Sequence, residues 1–208
     1  MAQPSPWPVI HGERAALAAD LESISDAEWS TPSLCAGWNV RQVLGHMTAT
    51  AKITPAKFVG GMIGSGFRFN TMVAKDVARE TEGAPKETLA RFRDRMGATT
   101  HPPGPVDAML GESIIHAEDI RRPLGIDHTY PTDSVVRVAD FYKGSNLIVG
   151  TKKRISGLTL RATDTDWSTG TGPEVSGPVL SLLLAMTGRT AALSDLSGQG
   201  VAALKERA

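Results

Sequence analysis

The chain has 208 residues, with 22 Lys and Arg against 22 Asp and Glu, 41% hydrophobic residues and 21% charged. That length gives one elaborated domain or two small ones, and zero net charge excludes the broad electrostatic footprint of a nucleic-acid or anionic-membrane binder. A single cysteine, Cys35, excludes an intrachain disulfide and suits a reducing cytosol. In chain order, Pro4, Pro6 and Pro8 make a non-helical lead-in,. A helix is expected over about Val9 to Ile24, with Leu17, Leu21 and Ile24 at spacings of four and three,. Asp26 to Gly37 reads as a loop. Asn39 is an N-cap residue opening a second helix to about Phe58, with Val40, Val43, Leu44 and Met47 on one stripe,. Further helices are expected over Phe69 to Glu80, Lys86 to Met96, Val106 to Arg122 and Ser134 to Leu147,. Leu158 to Ala162 alternates as a strand does, Trp167 begins a short partner strand, and Val175 belongs to another,. Gly177-Pro178 opens an apolar helix ending at Gly188, and a short helix is expected over Gly200 to Glu206,. The longest apolar run, Val179 to Met186, falls far short of the roughly 20 residues of a membrane span,. No basic region followed by an apolar core marks a signal peptide.

Glu112 and His116 stand four apart in an otherwise apolar helix containing Met109, Leu110, Ile114, Ile115 and Ile120. Four apart means one face, with about 5–6 Å between Cβ atoms. A carboxylate in such surroundings is costly unless its charge is offset, and a divalent metal would offset it. His46 on the second helix lies about 60° from Val43, at the edge of the apolar stripe, so it can point into a bundle. One His from one helix and a Glu/His pair from another make a three-ligand zinc site with a fourth position open. Spacing alone leaves the ordinary readings in place: a structural His at a helix edge, and a hydrogen-bonded Glu/His pair. The pattern is not the His-Glu-x-x-His of zinc peptidases.

Three segments carry a resemblance. The first is Pro32-Ser33-Leu34-Cys35-Ala36-Gly37-Trp38-Asn39-Val40-Arg41 leading to Leu44-Gly45-His46. The second runs from Leu110-Gly111-Glu112 through His116 to Asp119-Ile120-Arg121-Arg122-Pro123-Leu124-Gly125. The third is Ala162-Thr163-Asp164-Thr165-Asp166-Trp167 with Gly170, Gly172-Pro173-Glu174-Val175, Gly177-Pro178 and Thr187-Gly188-Arg189. Together they resemble the maleylpyruvate isomerase family of mycothiol-dependent enzymes, within the DinB/YfiT-like metalloprotein superfamily. The resemblance implies a four-helix bundle with a divalent metal, zinc in most members, held at His46, Glu112 and His116. It also implies mycothiol, the low-molecular-weight thiol of actinobacteria, as cofactor. The C-terminal part reads as shorter than that of the isomerase itself.

The resulting expectation is an α+β fold: a DinB-like helical bundle over residues 1–150, with a small α+β region over 151–208 packed on it. The expected activity is that of a cytoplasmic transferase or isomerase. A zinc-bound thiolate would attack a small, electrophilic, anionic metabolite, activated by metal coordination. A metal-dependent hydrolase with zinc-bound water and a non-catalytic metal or small-molecule binding module are the alternatives. A monomer or homodimer is expected, with no nucleic-acid or membrane partner. Asp119, three beyond His116, is placed to orient it, or to pair with Arg122. Arg121 and Arg122 are candidates for binding an anionic substrate, or serve the helix C-terminus; Arg68 and Arg79, between the ligand helices, are further candidates. Cys35 reads as a small buried residue without chemistry. Gly170-x-Gly172 reads as a hairpin turn, because Val175 stands where a dinucleotide fingerprint needs its third glycine,. No residue is assigned as general acid or base.

Overall fold

The computed structural model describes residues 4–146 and 149–207. Two compact units divide the chain, Met1–His128 and Thr129–Ala208.

In the first unit, α1 (Trp7–Asp20) starts with Pro8 in its first turn and buries Ile10 and Leu17 completely. A short 3₁₀ turn, Glu28–Ser30, buries Trp29. α2 (Val40–Thr50) begins at a full capping box: the Asn39 side chain accepts from the Gln42 N–H, and the Gln42 side chain accepts from the Asn39 N–H,. Its stripe of Val40, Val43, Leu44 and Met47 is buried as the periodicity requires. The expected continuation to Phe58 does not occur. Pro55 cannot donate to a preceding turn, and Thr54 caps a new helix, α3 (Pro55–Gly64), by accepting from the Lys57 N–H. α4 (Phe69–Glu80), α5 (Pro85–Arg93) and α6 (Asp107–Arg121) complete the unit.

α2 lies against α4, α5 and α6, and α1 lies against α5 and α6. Gly45 permits the approach of α2 to α4, since a Cβ there would stand 2.7 Å from Thr81 Cγ2. Arg41 joins the same elements, donating to Thr88 Oγ1 and to the carbonyls of Thr81 and Gly83. α6 is buried nearly all round: Met109 to Gly111, Ser113 to Ile115 and Ala117 to Arg121 are shielded. Its polar residues are therefore held inside the unit, where each needs a partner.

The second unit opens with α7 (Thr132–Lys143), then α8 (Thr151–Arg154). α7 ends at Gly144; its expected terminus at Leu147 lies outside the described residues. α7 packs on the apolar helix α9 (Val179–Met186). It therefore belongs with the C-terminal residues, in the unit that begins at Thr129. Between them β1 (Thr159–Ala162) pairs antiparallel with β2 (Ser168–Gly170) and parallel with β3 (Glu174–Gly177), in the order β2-β1-β3. The hairpin turn is Thr163 to Trp167. Gly170 and Gly172 do something else: they carry the chain past the end of β1 from one edge to the other. Side chains there would collide with the carbonyl oxygens of Leu158 and Gly157. α10 (Val201–Glu206) closes the unit. The architecture is α+β, mostly helical with one small sheet. Among the described residues no helix is long and apolar enough to cross a membrane.

Replacing Asn39 by Ala removes the capping box that starts α2. We expect a loss of about 1 kcal/mol of stability, read as a lower urea midpoint with unchanged m-value.

Candidate functional site

The first unit brings His46, Glu112 and His116 together. α2 supplies His46 from the edge of its buried stripe, and α6 supplies the other two from one face. His46 Nε2 lies 4.0 Å from Glu112 Oε2. The rings of His46 and His116 stand edge to face with centroids 5.1 Å apart. The three side chains keep 21, 12 and 17% of their surface exposed, so the cluster sits just beneath the surface rather than sealed in the core.

Asp119 is wholly buried and accepts a hydrogen bond from His116 Nδ1 at 2.8 Å. That bond fixes the ring and its tautomer, leaving Nε2 with a lone pair to give. Arg122 Nε donates to Glu118 at 2.9 Å. The loop before α2 closes over the site. Ser33 N donates to the Trp38 carbonyl, Val40 N to that of Thr31, and Leu34 N to that of Asp119 on α6. The Trp38 ring comes to 5.1 Å from that of His46.

Cys35 is half-buried in this loop and not a core residue. Among the described residues, Cys35, His116 and Asp119 form the set whose metal-binding atoms all lie within 4.8 Å of one another. Sequence spacing gave no hint of it, because Cys35 is 81 positions from His116 and the Leu34–Asp119 backbone bond is what joins them. Both sets share His116. Within the second, Asp119 already accepts from His116 Nδ1, as a carboxylate that orients a ligand does.

Burial dominates the electrostatics. It drives the His46 imidazole down to about 3, helped by the neighbouring His116. It drives the Glu112 carboxyl up to about 7, against the opposing pull of His116, Arg14 and a Thr50 hydrogen bond. Two imidazoles and a carboxyl group are a donor set for a divalent cation, and the nitrogen-rich set suits zinc. The residues present fit such an ion.

The four arginines considered from sequence are placed differently. Arg121 is fully buried and donates to Asp20 at 2.7 Å. Arg122 is held by Glu118. Arg79 is exposed and pairs with Asp76, and Arg68 is an exposed residue at the start of α4. Arg14 went unnoticed in sequence, because its helix carries no motif. It is 1% exposed, and it acts electrostatically on Glu112.

Residues 10–108 match the family model described as mycothiol maleylpyruvate isomerase N-terminal domain. The match lies within the first unit, which carries that family's N-terminal domain. The fold of the chain is also that of two solved structures. One, the crystal structure of a histidine-to-alanine mutant of the mycothiol-dependent maleylpyruvate isomerase, aligns with TM-score 0.65 and 14% identity over 93% of this chain and 91% of that one. The other, the mycothiol-dependent maleylpyruvate isomerase, gives TM-score 0.61 and 11% identity with the same coverage. Comparison with curated proteins gives no match.

The paired shifts make the metal-free protein's acid response unusual. Glu112 holds its proton more tightly when folded, so its stabilising contribution is complete below about 4.5 and is lost as pH rises through about 7,. His46 does the reverse: its contribution is complete above about 6.5 and is lost as pH falls through about 3,. Between about 4.5 and 6.5 the two cancel. In chelator, this pair leaves stability level across that window, with losses on both sides. Glu112→Gln removes one side of the balance, so stability should instead climb with pH across the window, approaching about 1.4 kcal/mol per pH unit. Urea titrations of both proteins at half-unit pH steps check this.

Proposed function

We propose that this chain is a mycothiol-dependent enzyme that binds one divalent cation, zinc, at His46, Glu112 and His116. In this reading it joins the thiol to, or isomerises, a small electrophilic metabolite. The observation that carries it is the His46–Glu112–His116 cluster with His116 Nδ1 held by Asp119, inside a unit that carries the family's domain.

When bound, the cation supplies the positive charge that keeps a thiol deprotonated at neutral pH. The chain's own residues prepare for it. Burial keeps His46 unprotonated, so its lone pair is available across the physiological range. Asp119 presents His116 with Nε2 outward. Glu112 is the acid that gains most from a nearby cation, because burial denies it water. Assigned to the cation, Glu112 is not the general base. Trp38 and the Leu34–Asp119 bond wall one side of the cluster and limit water there. A thiolate held at such a site adds to an electrophilic carbon. Loss of the thiol after bond rotation yields the cis/trans isomer, and retention yields the S-conjugate.

Metal analysis tests the site. Wild type should carry one equivalent of zinc after reconstitution, His46→Ala should lose it, and Cys35→Ser should keep it. The opposite pattern, metal lost with Cys35→Ser and kept with His46→Ala, would move the ion to Cys35, His116 and Asp119. Asp119→Asn should weaken zinc affinity about 10- to 100-fold, measured by chelator competition. The activity itself stands on turnover of an unsaturated carbonyl electrophile only when mycothiol is present; equal turnover in its absence would favour a hydrolase that activates water.

A further inference from the structure

The second unit holds a cavity of about 450 Å³ lined by Gly150, Lys153, Arg154 and Arg207. Its charged lining residues are all cations. The stretch from Gly150 to Gly157 carries Lys152, Lys153 and Arg154 and no acid, in a chain whose net charge is zero. Backbone carbonyls hold the two arginines in place. Arg154 Nε donates to the Arg207 carbonyl at 3.1 Å, and its Nη1 donates to those of Val149 and Met186, both at 2.8 Å. Arg207 Nη1 donates in return to the carbonyls of Arg154 at 3.0 Å and Ser156 at 2.7 Å. These reciprocal bonds fasten the end of α10 to α8, and they are made to neutral acceptors. Among the described residues, Lys153, Arg154 and Arg207 have no anionic partner, and Arg154 Nη2, Arg207 Nε and Nη2, and Lys153 Nζ make no hydrogen bond. Gly150 adds no side chain to the lining, and a Cβ there would meet nothing within 4 Å, so the cavity stays open on that side.

Three cations around one cavity repel one another, and an anion placed among them relieves all three. A phosphomonoester brings nearly two negative charges and three strong acceptor oxygens. Guanidinium forks match phosphate oxygens, and an ammonium serves as a point charge beside them. The volume falls in the range of roughly 300–1,000 Å³ usual for small-molecule sites, so the body of the ester is accommodated with its phosphoryl group. We propose that this cavity binds the phosphoryl group of a small phosphomonoester, with Arg154 and Arg207 donating to its oxygens and Lys153 adding the third positive charge. The proposal is independent of the cation cluster, whose residues all belong to the first unit.

The test is calorimetric titration of the full chain in low-salt, phosphate-free buffer. Glucose 6-phosphate is the probe, with glucose and the dicarboxylate malonate as comparators. Glucose 6-phosphate should bind with a submillimolar Kd, malonate more weakly, and glucose not at all. Lys153 supplies the decisive variant, because its ammonium holds nothing in the fold. A charge-assisted hydrogen bond corresponds to roughly 10- to 100-fold in affinity. Lys153→Gln should weaken glucose 6-phosphate by about the lower of these factors, and Lys153→Glu should abolish its binding. Lys57→Gln, at an exposed position of the first unit, should leave it unchanged. No binding at millimolar glucose 6-phosphate overturns the proposal, as does unchanged binding by Lys153→Glu. An equal loss with Lys57→Gln, or malonate binding as tightly, would mark general attraction of anions and overturn it too. The affinity should also survive added chelator; its loss would place the phosphate on a cation elsewhere and overturn the assignment to this cavity.

Discussion

The first unit is organised around a carboxylate kept out of water. Glu112 sits in the middle of a helix shielded on nearly every side, and burial, outweighing the influences that oppose it, pushes its carboxyl up to about 7. Everything close to it answers that charge in some way. His116 and Arg14 supply positive potential and Thr50 a hydrogen bond, while His46 Nε2 stands 4.0 Å away. Among the described residues none of these is a full ion pair with Glu112, while the surrounding apolar packing remains intact. Polar groups in a low-dielectric interior are costly when half satisfied. Such an arrangement persists where a ligand completes it.

The supporting parts work by restricting freedom. The capping box fixes where α2 starts, and hence where His46 falls on the helix. Gly45, beside it, lets α4 come close enough to hold α2 in place. The Leu34–Asp119 backbone bond ties the loop carrying Cys35 and Trp38 to the helix carrying Glu112 and His116. His116 is oriented by a buried acid on its own helix, so its aim does not depend on the loop.

Much of this was legible in the sequence, where periodicity and caps speak plainly. The stripe of α2, the Asn39 start and the Glu112/His116 face are all local patterns, and local patterns survive folding. The resemblance supplied the link to His46. What stayed hidden depends on long-range packing. Cys35 reaches His116 through a loop-to-helix bond that no spacing encodes. Arg14 looks like any surface arginine until α1 is laid on α6. The break at Thr54–Pro55 was visible in the sequence only as a proline. α7 carries a good amphipathic pattern, yet a pattern shows that a face is buried without showing against what, so its place in the second unit was not readable.

The break after α2 has a consequence of its own. α3 contributes no buried residue, and Val59, Ile63, Phe67 and Phe69 in and beyond it are exposed. A helix held by so few apolar contacts opens at little free-energy cost. Its amides should exchange with deuterated solvent through local openings, long before those of α2 and α6 do so through global unfolding. α3 and the helices that bear His46, Glu112 and His116 thus belong to different tiers of stability, and α3 can rearrange without loosening the cluster.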